Sequence, residues 1–357
     1  DLHRRRHSFP TRRSSDLGIL TIDAYGDSTT AGFFGLGGTL NSRSLSPTAT
    51  LASRMRNCGY VVEDRMIGCS QGCTTDAELV SYHSGNLTLG TGWTITVGPT
   101  SAAGIPISNA GAGNLTDLTW NPGGSYQYVD ITYIQQTGYG SFGLFVGGSQ
   151  QGATVVCNGP ATIVKVTRTL ASPTTNPLSI RKMIDGNLNI LRIQVRSSTG
   201  GYIALNNCGW GGSTTTSWVS NTNVWDPLQV IANNYKPDVA FFNIDVNDWI
   251  TGVTPATHKS QYLSILAATA VDSDLILQTG VSSATTTTAQ ANQLAIVAQT
   301  RYAALEYGAP VVDIYRSWGT RQMAGTQGYF GVLSDPVHPS AEGYTDIGNR
   351  WATALGF

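Results

Sequence analysis

Hydrophobic and polar positions follow two patterns toward the ends of this chain. Short continuous apolar runs alternate with longer segments in which apolar residues recur every three or four positions. The run PDVAFFNID at 237–245 is typical of a strand buried on both faces. Leu51 and Met55, by contrast, have the i, i+4 spacing of one helix face. This alternation predicts an α/β fold with a doubly wound parallel sheet.

The same patterns predict the order of the elements. Strands are expected at 18–25, 60–67, 202–206, 237–245, 274–280 and 309–315. Helices are expected at 47–57, 224–235, 255–269, 287–307 and 340–355.

The middle of the chain has a different texture. From 87 to 201, short alternating runs are separated by Gly and Pro, which predicts an antiparallel β-sandwich. We therefore expect an α/β domain at 18–86 and 202–357, interrupted by an inserted sandwich at 87–201 with a carbohydrate-binding role. Aromatic side chains of the insert either stack on sugars or fill its core, and core is the expected role for at least half of them: Trp93, Trp120, Tyr126, Tyr128, Tyr133 and Tyr139.

The number and sign of the charged residues limit the classes of binding partner that the chain is expected to have. Only 12% of the 357 residues are charged, and the formal net charge is -1. Segment 1–17 holds five of the 21 basic residues; it resembles translated adapter sequence and is left out of the fold prediction. The rest is acidic overall, so nucleic-acid binding is not indicated. No apolar run is long enough to predict a membrane span, and the composition favours a secreted, virion-surface or cell-surface protein.

The five cysteines are Cys58, Cys69, Cys73, Cys157 and Cys208. Their odd number excludes complete internal pairing, and no second ligand pair has the spacing of a zinc site. One disulfide among Cys58, Cys69 and Cys73 and a role as small buried side chains both remain open.

Candidate chemistry begins at Ser28. The apolar run at 18–25 stops at Gly26-Asp27-Ser28, and small residues follow. Strand ends of open α/β sheets are where ligands bind, and a helix N-terminus offers free N–H groups to developing negative charge. An isolated Gly-Asp-Ser is also ordinary turn chemistry, so Ser28 needs partners elsewhere in the chain.

Three further segments supply such partners. His338 follows Asp335 by three residues in SDPVHPSAEGY, a spacing that lets a carboxylate orient an imidazole. Asn247 follows the buried strand at 237–245 and offers an uncharged donor to an oxyanion. Gly212, in GWGGSTTT, lets a backbone N–H approach a substrate closely. Each segment alone also fits a simple turn or helix cap.

Together, the blocks containing Ser28, Gly212, Asn247 and Asp335 with His338 resemble those of the SGNH (GDSL) hydrolase family, over residues 18–86 and 202–357. The resemblance implies a flavodoxin-like sheet and an esterase without metal or cofactor. Ser28 is the implied nucleophile, His338 the base and Asp335 its partner. The implied oxyanion hole is formed by Ser28, Gly212 and Asn247.

Two features depart from the family pattern. Gly72, in the similar segment GCSQGCTT, lies nearer Ser28 and competes with Gly212, although Gly212 suits the block order and is preferred. Asp245 stands where the third block usually has Gly, and we expect its carboxylate near the pocket, where it would influence substrate choice.

The expected substrate is an O-acetyl ester on a polysaccharide. A lipase or arylesterase acting on small or lipid esters is the alternative within the family. A glycan-binding or adhesion protein that keeps the scaffold without catalysis is the alternative outside it. The sequence has no feature that predicts the oligomeric state.

Overall fold

Strands and helices alternate at the two ends of the chain, and the described middle part contains strands. The computed structural model describes residues 18–33, 43–68, 73, 75–95, 107–110, 116–197, 199–220, 223–330, 335 and 337–357. The strands are β1 (Ile19–Gly26), β2 (Val62–Glu63), β3 (Met66–Gly68), β4 (Leu87–Leu89), β5 (Trp93–Ile95), β6 (Ile107–Asn109), β7 (Asp117–Trp120), β8 (Tyr126–Gln135), β9 (Ser141–Val146), β10 (Ser149–Gln150), β11 (Val155–Val156), β12 (Thr162–Thr174), β13 (Leu178–Ile184), β14 (Leu188–Arg196), β15 (Tyr202–Gly209), β16 (Val239–Asn243), β17 (Asp274–Gln278) and β18 (Val311–Val312). The helices are α1 (Ser28–Ala31), α2 (Pro47–Asn57), α3 (Asp76–Tyr82), α4 (Thr215–Val219), α5 (Pro227–Asn233), α6 (Asp245–Thr251), α7 (Pro255–Thr269), α8 (Thr287–Tyr307), α9 (Ile314–Trp318), α10 (Arg321–Thr326) and α11 (Ala341–Ala354).

A parallel sheet positions the candidate site. Its strand order is β18-β17-β16-β1-β15-β2, and β1 pairs in parallel with both β15 and β16. Apart from the short edge strand β2, this is the order of a flavodoxin-like doubly wound sheet, as expected. The chain passes from one side of β1 to the other between β15 and β16, so the topological switch point lies at the carboxyl end of β1.

The parallel sheet is buried on both faces, as its continuous apolar strands require. In β16, Val239 and Phe241 enter one hydrophobic core, which α2 and α11 also line. Ala240 and Phe242 enter the core on the opposite face. The alternation of side chains along one strand therefore separates two helical layers.

Local capping signals account for the limits of the longer helices. Ser46 accepts a hydrogen bond from the Ala49 amide at the start of α2, and Pro47 occupies its first turn. Helix α8 ends at Gly308, whose φ of 64° is the left-handed conformation common at helix ends. Among the described residues, none of the helices combines the length and apolarity that crossing a lipid bilayer requires.

The middle of the chain forms two antiparallel sheets that share one hydrophobic core. One contains β4, β7, β9, β10, β11 and β13, and the other contains β3, β5, β6, β8, β12 and β14. Phe142 and Ile180 enter the core from the first sheet, and Ile131 and Val195 enter it from the second. The two sheets therefore pack face to face.

The second antiparallel sheet also packs against the α/β part of the chain. Ile134 and Leu191 belong to the same buried cluster as Trp218 of α4. Arg192 of β14 donates to the Cys208 sulfur at 3.0 Å, and its guanidinium lies 4.4 Å from the centre of the Tyr235 ring. In addition, β3 pairs with β14 although it precedes residue 87. The division of the chain at residue 87 stays a prediction, and it would cut through this sheet.

Two predicted strands differ in the structure. The segment 60–67 splits into β2 and β3, which join different sheets. The segment 309–315 contains only the short strand β18 before α9 begins. Asp313 ends that strand because its side chain accepts the Arg316 amide and caps the helix.

The predicted aromatic side chains of the insert do not form an exposed sugar-stacking face. Four of them lie in the shared core: Trp93, Trp120, Tyr126 and Tyr133. Tyr128 and Tyr139 are half-buried. The Tyr128 ring lies under Arg196, and the Tyr139 hydroxyl accepts a hydrogen bond from Asn189. Four of these six residues therefore have the core role that is expected for at least half of them.

The structure contains no disulfide among the candidate cysteines that it describes. Cys58 is an exposed free thiol, and Cys73 is a buried one. Cys69 lies outside the described residues. Cys157 is also a buried free thiol, consistent with a small core side chain.

Candidate active site

Ser28 lies at the carboxyl end of β1, in the first turn of α1. Gly26 allows this turn because a Cβ there would lie 2.1 Å from the Thr30 hydroxyl and 2.4 Å from the Asn243 carbonyl oxygen. Asp27 caps α1 through a 2.8 Å hydrogen bond from the Thr29 amide to its Oδ1. Ser28 is 7% exposed and lies at the topological switch point of the sheet.

The structure brings Ser28, His338 and Asp335 together. His338 Nε2 lies 2.9 Å from the Ser28 hydroxyl, although the residues are far apart in the sequence. His338 Nδ1 lies 2.9 Å from Asp335 Oδ2 on the other side of the ring. If the ring donates from Nδ1 to the carboxylate, its Nε2 is free to accept the serine proton.

The hydrogen bond and charge of His338, together with two backbone amides, favour the ionised form of the Asp335 carboxylate. Oδ1 accepts from the amides of Val337 and His338 at 2.9 and 3.0 Å. Partial burial raises the pKa of Asp335, but the hydrogen bond and charge of His338 together with these amides outweigh it and lower the pKa to about 2. The carboxylate is therefore ionised at neutral pH and stabilises a positive imidazole.

Two residues that the sequence did not single out support this arrangement. The Phe33 ring lies 4.7 Å from the His338 ring between centres, and its carbonyl oxygen accepts from the Tyr344 hydroxyl. Arg321 donates to the backbone oxygen of Asp335 at 3.1 Å. Neither residue lies in one of the sequence blocks from which the site was predicted. Only the folded chain places them beside the loop that contains Asp335 and His338, here called the histidine loop.

Gly212 and Asn247 follow β15 and β16, the two strands that flank β1. Gly212 has a φ of 72° and is exposed, and a Cβ there would meet nothing within 4 Å. Its backbone conformation, rather than close packing, therefore favours glycine. Asn247 Nδ2 donates to the Ser213 carbonyl oxygen at 3.0 Å, which ties its amide to the turn of Gly212. The alternative, Gly72, lies outside the described residues.

Asp27 is a fully buried carboxylate beside Ser28. Its Oδ1 accepts from both the amide and the hydroxyl of Thr29. Its Oδ2 is buried without a hydrogen-bond partner among the described residues. Burial raises the pKa of Asp27 to about 6, and the two Thr29 hydrogen bonds only partly offset that effect.

The prediction that Asp245 approaches the pocket is wrong. The side chain is 0% exposed, and it accepts from the Gly280 amide at 3.0 Å and the Thr300 hydroxyl at 2.7 Å. Burial raises the pKa of Asp245 to about 6, despite the opposing charge of His258. The carboxylate faces the interior because the first turn of α6 directs it toward α8, so it does not contact a substrate.

Asp248, in the same helix, connects the neighbouring elements. It accepts from the amide and hydroxyl of Thr215 at 2.8 and 2.5 Å, and His258 Nδ1 lies 2.6 Å away. His258 Nε2 in turn lies 3.2 Å from the Thr300 hydroxyl. All four side chains are buried. This network fixes α6, and with it Asn247, against α4, α7 and α8.

The site has the parts of a nucleophilic hydrolase. A serine hydroxyl contacts an imidazole, the imidazole contacts a carboxylate, and candidate oxyanion donors lie at neighbouring strand ends. Serine hydrolases on unrelated folds use this arrangement. In the described part of the chain, no group of three or more His, Cys, Asp or Glu side chains is placed to hold a metal ion.

Comparison with known proteins supports the same class. Residues 186–345 match the family model of the GDSL-like lipases and acylhydrolases, and this segment includes Gly212, Asn247, Asp335 and His338. The match supports the SGNH/GDSL hydrolase family and the class of serine ester hydrolases. No curated protein matches it by sequence.

One solved structure shares the fold of nearly the whole chain, and others align with part of it. A peptidoglycan O-acetylesterase aligns with a TM-score of 0.68 at 18% identity, over 96% of this chain and 91% of its own. An acetyl xylan esterase from Geobacillus stearothermophilus aligns over 44% of this chain and 74% of its own, with 19% identity and a TM-score of 0.37. A lipase/acylhydrolase from Enterococcus faecalis covers 43% and 75%, with 20% identity and a TM-score of 0.34. The first likeness extends over the antiparallel sheets as well as the parallel one.

Proposed function

We propose that this protein is a serine esterase that removes O-acetyl groups from a polysaccharide. The observation that carries the proposal is the continuous contact from Ser28 through His338 to Asp335, with both distances at 2.9 Å. These distances suit proton transfer without rearrangement of the side chains.

The reaction proceeds through an acyl-enzyme. Ser28 Oγ attacks the ester carbonyl carbon while its proton passes to His338 Nε2. Asp335 stabilises the imidazolium that forms. The tetrahedral intermediate collapses, the C–O bond to the sugar breaks, and the sugar hydroxyl leaves with the proton from His338. Water, deprotonated by His338, then attacks the acetyl-serine and releases acetate.

Three donors are proposed to stabilise the oxyanion: the Ser28 amide, the Gly212 amide and the Asn247 side chain. Ser28 is the first residue of α1, a position whose N–H has no partner within the helix. Asn247 uses one N–H on Ser213 and keeps a second for the substrate. Donors fixed before reaction stabilise developing charge without reorganisation.

The polysaccharide part of the proposal draws on the whole-chain likeness to a peptidoglycan O-acetylesterase. That alignment includes the antiparallel sheets, so the two proteins share more than the catalytic fold. We propose an O-acetylated glycan as substrate on this basis, and export to the cell or virion surface as its consequence.

Release of acetate tests the proposal. Wild type and Ser28→Ala are incubated with O-acetylated peptidoglycan, acetylated xylan and acetylated pectin, with p-nitrophenyl acetate as a reference ester. We expect acetate from at least one glycan and its loss in Ser28→Ala. Equal rates for the two proteins would refute the serine mechanism. Activity on long-chain esters with none on any glycan would favour the lipase alternative.

A further inference from the structure

A cavity opens near the candidate active site. Its volume is about 620 Å³, and its lining comes from the segments that follow β17 and β18, from α8 and from α10. Neither Ser28 nor His338 is among the described residues that line it. The cavity is therefore separate from the reacting groups, although it lies at the same carboxyl edge of the parallel sheet.

The charge of this cavity is positive. Its described lining contains three arginines, Arg301, Arg316 and Arg321, and a single carboxylate, Asp313. Arg301 binds Asp313 through two hydrogen bonds of 2.9 and 3.0 Å, so these two charges neutralise each other. The positive charges of Arg316 and Arg321 are not neutralised in this way, although the whole chain has a formal net charge of -1.

Neither remaining arginine forms an ion pair with a carboxylate of the described residues. The guanidinium of Arg321 lies 3.7 Å from the centre of the Phe330 ring, and its Nε is buried without a hydrogen-bond partner. Burial lowers the pKa of Arg321, and the charge of Asp335 offsets only part of that effect. Arg316 is exposed, and within the described structure its guanidinium forms no hydrogen bond or ion pair.

Arg321 connects the cavity with the histidine loop. One of its nitrogens donates to the Asp335 backbone oxygen at 3.1 Å. In the sheet, β17 is the second strand from β1 and β18 is the third. Since neighbouring strands lie about 4.8 Å apart, the cavity begins on the order of 10 Å from the end of β1. When the acetyl ester lies at Ser28, a group on a neighbouring sugar can reach the cavity. The acetyl ester itself is too short to reach it.

We propose that this cavity is a subsite for a carboxylate group on the glycan, bound by Arg316 and Arg321. The inference rests on the proposed esterase function and narrows its substrate to acidic glycans. A planar guanidinium binds a carboxylate through paired hydrogen bonds, and such a ligand balances the positive charge that the described lining leaves over. The carboxylate belongs either to a uronic acid or to a lactyl ether on an amino sugar, which present the same group.

Matched substrates test the subsite. The first pair is O-acetylated oligogalacturonate and the same oligomer with its carboxylates methyl-esterified. The second pair is 6-O-acetyl-N-acetylmuramic acid and 6-O-acetyl-N-acetylglucosamine, which differ by the lactyl group. We expect wild type to prefer the acidic member of one pair in kcat/KM, and that pair identifies the source of the carboxylate.

Arg316→Gln is expected to lower the acidic-to-neutral ratio of kcat/KM about tenfold, through a higher KM, because a hydrogen bond to a charged group is lost. Arg316→Glu is expected to lower it further. The matched control is Arg54→Gln, since Arg54 is exposed and lies outside the cavity lining; its ratio should equal that of wild type.

A wild type that hydrolyses both members of each pair equally would overturn the subsite while leaving the esterase proposal standing. An unchanged ratio in both Arg316 variants would overturn it as well. A different result would refute the esterase proposal itself: Ser28→Ala would still release acetate.

Discussion

The side-chain amide of Asn247 donates to the backbone oxygen of Ser213 at 3.0 Å. This bond joins the start of α6 to the turn that contains Gly212. It orients the amide so that one N–H is occupied and the other is available. Two of the three proposed oxyanion donors are therefore positioned as one unit.

Asn247→Ala removes a proposed oxyanion donor. We expect kcat to fall about 10²–10³-fold with little change in KM, because the donor acts mainly on the transition state. Steady-state kinetics with p-nitrophenyl acetate measure this. Asn233→Ala, on the exposed end of α5, is the control. A loss confined to KM would contradict an oxyanion role.

Gly212→Ala tests the choice between Gly212 and Gly72. At a φ of 72° an alanine is strained by about 1 kcal/mol, although no atom obstructs its Cβ. We expect a lower kcat because the turn shifts its amide. Gly308→Ala carries a similar strain at a φ of 64° in the C-cap of α8, and should lower the melting temperature without lowering kcat. If Gly72→Ala reduces kcat and Gly212→Ala does not, then Gly72 is the oxyanion residue.

Asp335→Asn changes the acceptor that His338 Nδ1 faces. The amides of Val337 and His338 can still donate to the Asn oxygen, so the loop should keep its shape. The new NH₂ group opposes the Nδ1–H tautomer, and we expect kcat to fall about 10³–10⁴-fold. Asp117→Asn, which alters an ion pair with Arg181 in the antiparallel sheet, serves as the control. A fall below tenfold would exclude Asp335 from the triad.

Asp248→Asn disturbs the buried network behind Asn247. The replacement places an NH₂ group against the Thr215 and His258 donors, and we expect a loss of about 3 kcal/mol in the free energy of unfolding. Denaturant titration measures it. The control is Asp272→Asn in the exposed pair with Lys236, where the expected loss is below about 1 kcal/mol. Similar losses in the two variants would show that the buried network does not stabilise the fold.

Asp27→Asn tests the effect of the buried carboxyl on stability. Its pKa is about 6 in the folded protein and about 3.9 in an unfolded chain. Between these values the folded state holds more protons, so the free energy of unfolding falls as pH rises from about 4 to 6. Over this interval, we expect the free energy of unfolding of Asp27→Asn to fall by about 2 kcal/mol less than that of wild type. Denaturant titrations at pH 4, 5 and 6 compare them, and identical pH slopes would refute the assignment.

Local patterns were sufficient for much of the fold. The helices at 47–57, 255–269 and 287–307 have the predicted limits, because Ser46, Thr254 and Thr286 cap their first turns. Periodicity could not show that the segment 60–67 divides between two sheets. Pairing partners decide that outcome, and β14, the partner of β3, lies far along the chain.

The sequence by itself determined the strand ends that carry Ser28, Gly212 and Asn247, and the spacing that sets Asp335 beside His338. Each depends on apolar runs, turns and contacts between residues close along the chain. Only the tertiary structure decided that Asp245 faces the interior, that Phe33 packs on His338, and that Arg321 reaches the Asp335 loop from a positively charged cavity. These features arise where distant segments meet, and no local pattern contains their directions.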